Sequence, residues 1–106
     1  MKIQDQFFEN IKQVPAGDSF LDCEFITCEF LEGSLVGKSF LDCCFFGCDL
    51  GSLDMSEATF VNCRFRDCRL ENVDFVATKE LLDVQFDTCF LNPSISTLEG
   101  PRVVIN

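Results

Sequence analysis

Two residue types carry reactive side chains in quantity here: eight cysteines and eighteen carboxylates among 106 residues. Thiols can form disulfides, hold metal or attack as nucleophiles. Cys23, Cys28, Cys43, Cys44, Cys48, Cys63, Cys68 and Cys89 contain no Cys-x-x-Cys pair, and there is no histidine in the chain. A recurring step of five is not the spacing of a zinc site. A disulfide framework belongs to an oxidising compartment. Met1–Pro15 carries Asp5 and Glu9 and has no apolar core, so the sequence predicts no signal peptide, reduced thiols and a cytoplasmic location. Without histidine the commonest general base is missing. No nucleophile–base pair, phosphate-cradling glycine loop or metal-ligand cluster stands out. The expectation is a protein that is not an enzyme and uses no cofactor and no metal.

The carboxylates outnumber the bases, eighteen to eight, for a net charge of −10. That balance argues against direct binding to nucleic acid or an anionic membrane. The chain is 47% hydrophobic, too apolar for disorder, and its length suits one domain.

What must position these side chains is a repeat. The residues at multiples of five are Phe20, Phe25, Phe30, Leu35, Phe40, Phe45, Leu50, Met55, Phe60, Phe65, Leu70 and Phe75, all large and apolar. Two places before these centres lie Asp18, Cys23, Cys28, Gly33, Lys38, Cys43, Cys48, Leu53, Ala58, Cys63, Cys68 and Val73, ten of them small or apolar. A period of five fits neither a helix nor a strand. A chain that turns a corner every five residues fits it, with the centre and the residue two before pointing inward. Asp18, Lys38 and the later Lys79 then sit at corners where a charge reaches water.

A longer period overlies the first. Ser19-Phe20-Leu21-Asp22-Cys23 returns as Ser39-Phe40-Leu41-Asp42-Cys43 and as Thr59-Phe60-Val61-Asn62-Cys63, twenty residues apart each time. A degraded copy, Glu80-Leu81-Leu82-Asp83-Val84, is slipped by one residue. Four corners per turn give a square coil whose turns stack in register. The cysteines then form two ladders, Cys23/Cys43/Cys63 and Cys28/Cys48/Cys68/Cys89, serving as small hydrophobes. Cys44 alone is expected outside, as the reactive thiol.

These motifs resemble the pentapeptide-repeat family over roughly residues 18–92. The resemblance implies an all-β, right-handed quadrilateral β-helix, here of about four coils. Residues 1–17 are expected to be an N-terminal cap, with a short amphipathic helix over Gln6–Val14 using Phe7, Phe8, Ile11 and Val14. Residues 93–106 are expected to be a tail that closes the other end or pairs with a second subunit, so that the protein is a monomer or a homodimer.

Charge is uneven along the repeat. Residues 18–37 carry five acids and no base, and residues 38–57 carry four acids and one base. Residues 58–77 balance three acids against Arg64, Arg66 and Arg69. The twenty-residue period predicts columns: Asp22, Asp42, Asn62 and Asp83; Glu29, Asp49 and Arg69; Asp54 and Asp74. Like charges at strand spacing repel by about 1 kcal/mol per near pair. One reading of these columns is solubility. The other is mimicry of duplex DNA. The resemblance implies this second possibility, because quinolone-resistance members of the family are proposed to imitate DNA at gyrase. The partner would then be a DNA-binding protein: gyrase or topoisomerase, or a restriction or CRISPR complex met by a phage-type inhibitor. The acids expected to work are Asp22, Glu24, Glu29, Glu32, Asp42, Asp49, Asp54 and Glu57. A rival surface is apolar: Leu21, Leu41, Val61 and Leu82 follow the first-side centres and predict a stripe suited to a scaffold that binds protein.

Overall fold

The computed structural model describes residues 1–31 and 33–106. The first coil holds β1 (Lys2–Gln4) and β2 (Phe7–Glu9), and the second holds β3 (Ser19–Leu21) and β4 (Glu24–Ile26). The third holds β5 (Ser39–Leu41) and β6 (Cys44–Phe46). The fourth holds β7 (Thr59–Val61), β8 (Arg64–Arg66) and β9 (Arg69–Leu70). The fifth holds β10 (Glu80–Leu82), β11 (Val84–Asp87) and β12 (Phe90–Leu91), and β13 (Val103–Ile105) follows.

Each coil adds one parallel strand to each side. The first side runs β1-β3-β5-β7-β10 and the second runs β2-β4-β6-β8-β11-β13. The third side pairs β9 with β12 and continues through bridges from Glu29 to Asp49 and from Asp49 to Arg69. The fourth side is made of turns closed by Lys38 N–H to Leu35 O, Ala58 N–H to Met55 O and Thr78 N–H to Phe75 O at 3.0–3.2 Å. The result is an all-β solenoid of five coils, 31 × 21 × 20 Å in extent.

The core follows from the period. Register sets Phe20, Phe40 and Phe60 one above another, with rings 5.0 and 4.9 Å apart and nearly parallel. Phe8, Phe25, Phe45, Phe65 and Phe86 form a second stack, 4.6–5.1 Å per step. The stacks meet edge to face, as between Phe40 and Phe45 at 5.6 Å, so every ring of the two stacks except Phe8 gains both favourable aromatic geometries. Ladder thiols fill the corners and donate to the coil behind: Cys48 Sγ to Phe25 O at 3.2 Å and Cys68 Sγ to Phe45 O at 3.2 Å. Val84 takes the place of a thiol in the first ladder and is equally buried. All eight cysteines are free.

Two expectations need correction. Gln6–Val14 is not a helix: β2 occupies its start, and Phe7 points outward, 56% exposed. The five-residue period reaches the N-terminus through Ile3 and Phe8, which pair with Phe20 and Phe25. That pairing outweighs a helical spacing only nine residues long. The coils therefore number five rather than four. The first is short: Ile3 and Phe20 are seventeen residues apart instead of twenty. On its fourth side this leaves an apolar recess of about 680 Å³ bordered by Phe8, Ile11, Val14, Pro15, Ala16 and Lys38. The tail lies on its own chain, with β13 against β11 and Ile95, in the 3-10 helix Pro93–Leu98, buried. The slip after Thr78 is absorbed as a bulge, where Lys79 N–H and Glu80 N–H both donate to Ala58 O at 2.8 and 3.4 Å, beyond which Leu81 regains register with Phe60. Asp18 and Lys79 are exposed, and Lys38 reaches the Gly17 carbonyl.

Candidate functional site

The corners explain much of the acidity. Between the first and second sides the chain turns through a left-handed residue in every coil: Asp5, Asp22, Asp42, Asn62 and Asp83, with φ from 53° to 57°. An L-residue there is strained unless it is Gly, Asn or Asp, whose short polar side chains suit the conformation. The column therefore selects Asp or Asn for backbone reasons. The amides of Asp5, Asp22, Asp42 and Asn62 bond to the next coil, as Asp42 N–H does to Val61 O at 3.0 Å. Asn62 also donates its side-chain amide to Asp42 at 2.6 Å. Arg102 clamps Asp83 through two bonds, 2.6 and 2.9 Å, and holds its carboxyl below the usual range.

A second group of acids closes turns. Asp49 accepts from Gly51 N–H at 2.8 Å, Asp54 from Ser56 N–H at 2.9 Å and Asp74 from Val76 N–H at 3.0 Å. These are Asx-turns. The bonds from Ser56 hold the Asp54 carboxyl below its ordinary value. Asp18 is held low in the same way by the terminal amine of Met1, 2.5 Å away.

Of the eight acids expected to act, Glu32 lies outside the described residues. Asp22, Asp42, Asp49 and Asp54 have these local tasks. Glu24, Glu29 and Glu57 make no side-chain bond or ion pair among the described residues. Glu57 is left-handed as well, φ 60°, at the position held by Gly37 one coil earlier. A glutamate there costs about 1 kcal/mol against glycine.

The acids do not gather into one patch. Asp22, Glu24 and Asp42 share a shallow recess of about 350 Å³ with Asp5, a residue that sequence reasoning passed over. Glu29 and Asp49 are on the third side, Asp54 on the fourth and Glu57 at the corner beyond it. Together they girdle the second and third coils. In the fourth coil the outward position of Glu24 and Cys44 becomes Arg64, which reaches Asp87 at 3.5 Å, and Arg69 stacks over Phe90 at 5.5 Å.

Leu21, Leu41, Val61 and Leu82 stand in strict register on the first side. Leu41 is 42% exposed and the others are half-buried.

Cys23, Cys43, Cys44, Cys68 and Cys89 are all held away from the reactive thiolate. Burial first, then Glu24, pushes the Cys44 thiol up. The neighbouring Cys48 thiol, with burial, pushes Cys68 up to about 12. Cys89 is half-buried like Cys44, which corrects the expectation of one outside cysteine, and it too is raised, by Cys68. Among the described residues no cluster of Cys, Asp and Glu has metal-holding geometry. No described helix is long and apolar enough to cross a membrane.

Comparison with known proteins agrees with the coil. A family model described as a pentapeptide repeat region matches residues 18–94. No curated protein matches the sequence. Among solved structures the fold is similar to that of trypsin-treated QnrB1, a plasmid-mediated fluoroquinolone resistance protein, with a TM-score of 0.61 at 15% identity. The match covers 86% of this chain and 60% of that one, so this chain spans about three fifths of that chain's length.

Proposed function

Because the chain belongs to the pentapeptide-repeat family, we propose that it is a non-enzymatic, protein-binding rod whose acidic girdle occupies the DNA site of a DNA-binding protein. The observation that carries this reading is the set of glutamates with no task in the fold. Aspartates at corners and turns are accounted for by backbone geometry. Glu24, Glu29 and Glu57 are not, and Glu57 stands where glycine would be the more stable choice.

Electrostatics supports the reading. Residues 18–57 carry nine acids against Lys38 alone, eight of the ten net charges of the chain. Duplex DNA presents charge on all sides, about 18 phosphates over a length like that of this rod. A girdle copies that better than a single patch would. A protein's DNA site is lined with Lys and Arg, and a stiff coil meets them without the entropy loss of ordering a flexible tail. Likeness to a fluoroquinolone resistance protein makes gyrase or topoisomerase the first partner to test. A restriction or CRISPR complex is the next.

The test is capture of purified partner across a salt series, with a DNA duplex as competitor. Binding should compete with duplex and weaken as salt rises. Salt-tolerant binding that duplex does not displace would overturn it.

A second reading is favoured by the exposure of Leu41 within its in-register stripe. On that reading the first side binds protein as a scaffold, and Leu41→Asp abolishes capture.

A further inference from the structure

We propose that the first side of the rod is a self-association surface, on which two copies of this chain pair face to face about a two-fold axis lying along β5. The proposal rests on the stripe reading and names the occupant of the stripe as the same sheet of a second copy.

Parallel stacking sorts the outward positions of this side into two columns. One is Lys2, Ser19, Ser39, Thr59 and Glu80; the other is Gln4, Leu21, Leu41, Val61 and Leu82. The middle strands β3, β5 and β7 carry no outward charge, in a chain of net charge −10. Two like-charged bodies meet with least repulsion across such a side.

The two charges in the first column have opposite signs and lie at its ends, each two strands from β5. A two-fold along β5 sets β1 of one copy against β10 of the other. Lys2 then meets the second copy's Glu80, and Glu80 meets its Lys2. The same rotation lays Leu21 against Val61 and brings Leu41, the most exposed of the stripe, against itself on the axis. A two-fold along the rod instead sets leucines against serines and pairs neither charge.

The area is sufficient. One side of a body 31 × 21 × 20 Å offers about 600 Å², so a pair buries about 1,200 Å², the lower end of specific interfaces. At one rim the corner columns come alongside, with Asp42 facing Asp42. Salt screens that repulsion, so pairing should strengthen with salt, opposite to binding through the girdle.

Sedimentation velocity on the full chain tests this, at about 10 to 200 μM protein and at two salt concentrations. A concentration-dependent dimer that is more populated at the higher salt is expected. Leu41→Asp should be monomeric with an unchanged circular dichroism spectrum. Glu80→Lys, which needs no change at the axis, should weaken pairing several-fold, and adding Lys2→Glu to it should restore pairing. A wild-type chain that stays monomeric, a Leu41→Asp variant that still pairs, or a double variant no tighter than Glu80→Lys would overturn the proposal. If the wild type is monomeric yet Leu41→Asp loses capture of another protein, the stripe reading stands and only the self-pairing falls.

Discussion

Asn62 donates its side-chain amide to Asp42 Oδ1 at 2.6 Å, joining two corner residues that are twenty apart in sequence and adjacent in the rod. Both are left-handed, φ 54° and 56°, and their bond shows how an acidic column can be a backbone requirement. Asp22→Asn should therefore keep stability within about 0.5 kcal/mol, because asparagine suits the same corner. Asp22→Val should cost about 1–2 kcal/mol, since a β-branched residue is strained there. Urea unfolding of the two variants measures the difference. Equal losses would mean that the charge, not the backbone, matters at this corner.

Glu57 makes the opposite case. Replacing it by glycine, as at Gly37, should raise the unfolding free energy by about 1 kcal/mol. The same variant should bind the partner less tightly if the girdle is the working surface. A variant both less stable and equally active would remove Glu57 from the argument.

Phe45 lies between Phe25 and Phe65, 4.7 and 4.6 Å from each ring, and is 1% exposed. Phe45→Ala should cost about 3–5 kcal/mol, because neighbouring coils are tied by backbone bonds and cannot close the gap. Denaturant titration with a constant slope checks it.

Thiol-reactive probes should modify Cys44 and Cys89 first and leave the buried cysteines unmodified until unfolding. The raised thiols also give a pH dependence. A thiol whose folded value lies above its unfolded one binds its proton more tightly when folded, so its stabilisation is complete below about pH 8.5. For Cys68, pushed up to about 12, stability should fall as pH rises between those values. Cys68→Ala should flatten that fall in thermal melts.

The girdle can be tested without disturbing turns. Glu24→Lys with Glu29→Lys removes two carboxylates that have no local bonds among the described residues, so the fold should be kept while capture of a DNA-binding partner falls at least tenfold. Glu71→Lys with Glu99→Lys makes the same charge change outside the girdle and should matter much less. Asp67 would be a poor control: it is left-handed, φ 53°, and accepts a bond from Thr88. Similar losses from both double variants would mean that net charge alone acts.

The sequence by itself determined the coil. A period of five, carried by Phe20 through Phe75, leaves few ways to bury every centre at once, and the twenty-residue echo aligns Phe40 over Phe20. The same count placed Leu21, Leu41, Val61 and Leu82 in one stripe, slip included. Tertiary structure decided what the count left open. A helix over Gln6–Val14 and a fifth coil both fit the local pattern there, and pairing of Ile3 with Phe20 and Phe8 with Phe25 settled it, because strand hydrogen bonds to an existing coil outweigh the propensity of so short a segment. The acids behaved likewise. Asp22, Asp54 and Glu57 read alike as charges in a sequence, since nothing in a residue's identity states its φ or the amide it faces. Only the folded chain separates the aspartates that complete corners and turns from the glutamates that have no local bond among the described residues.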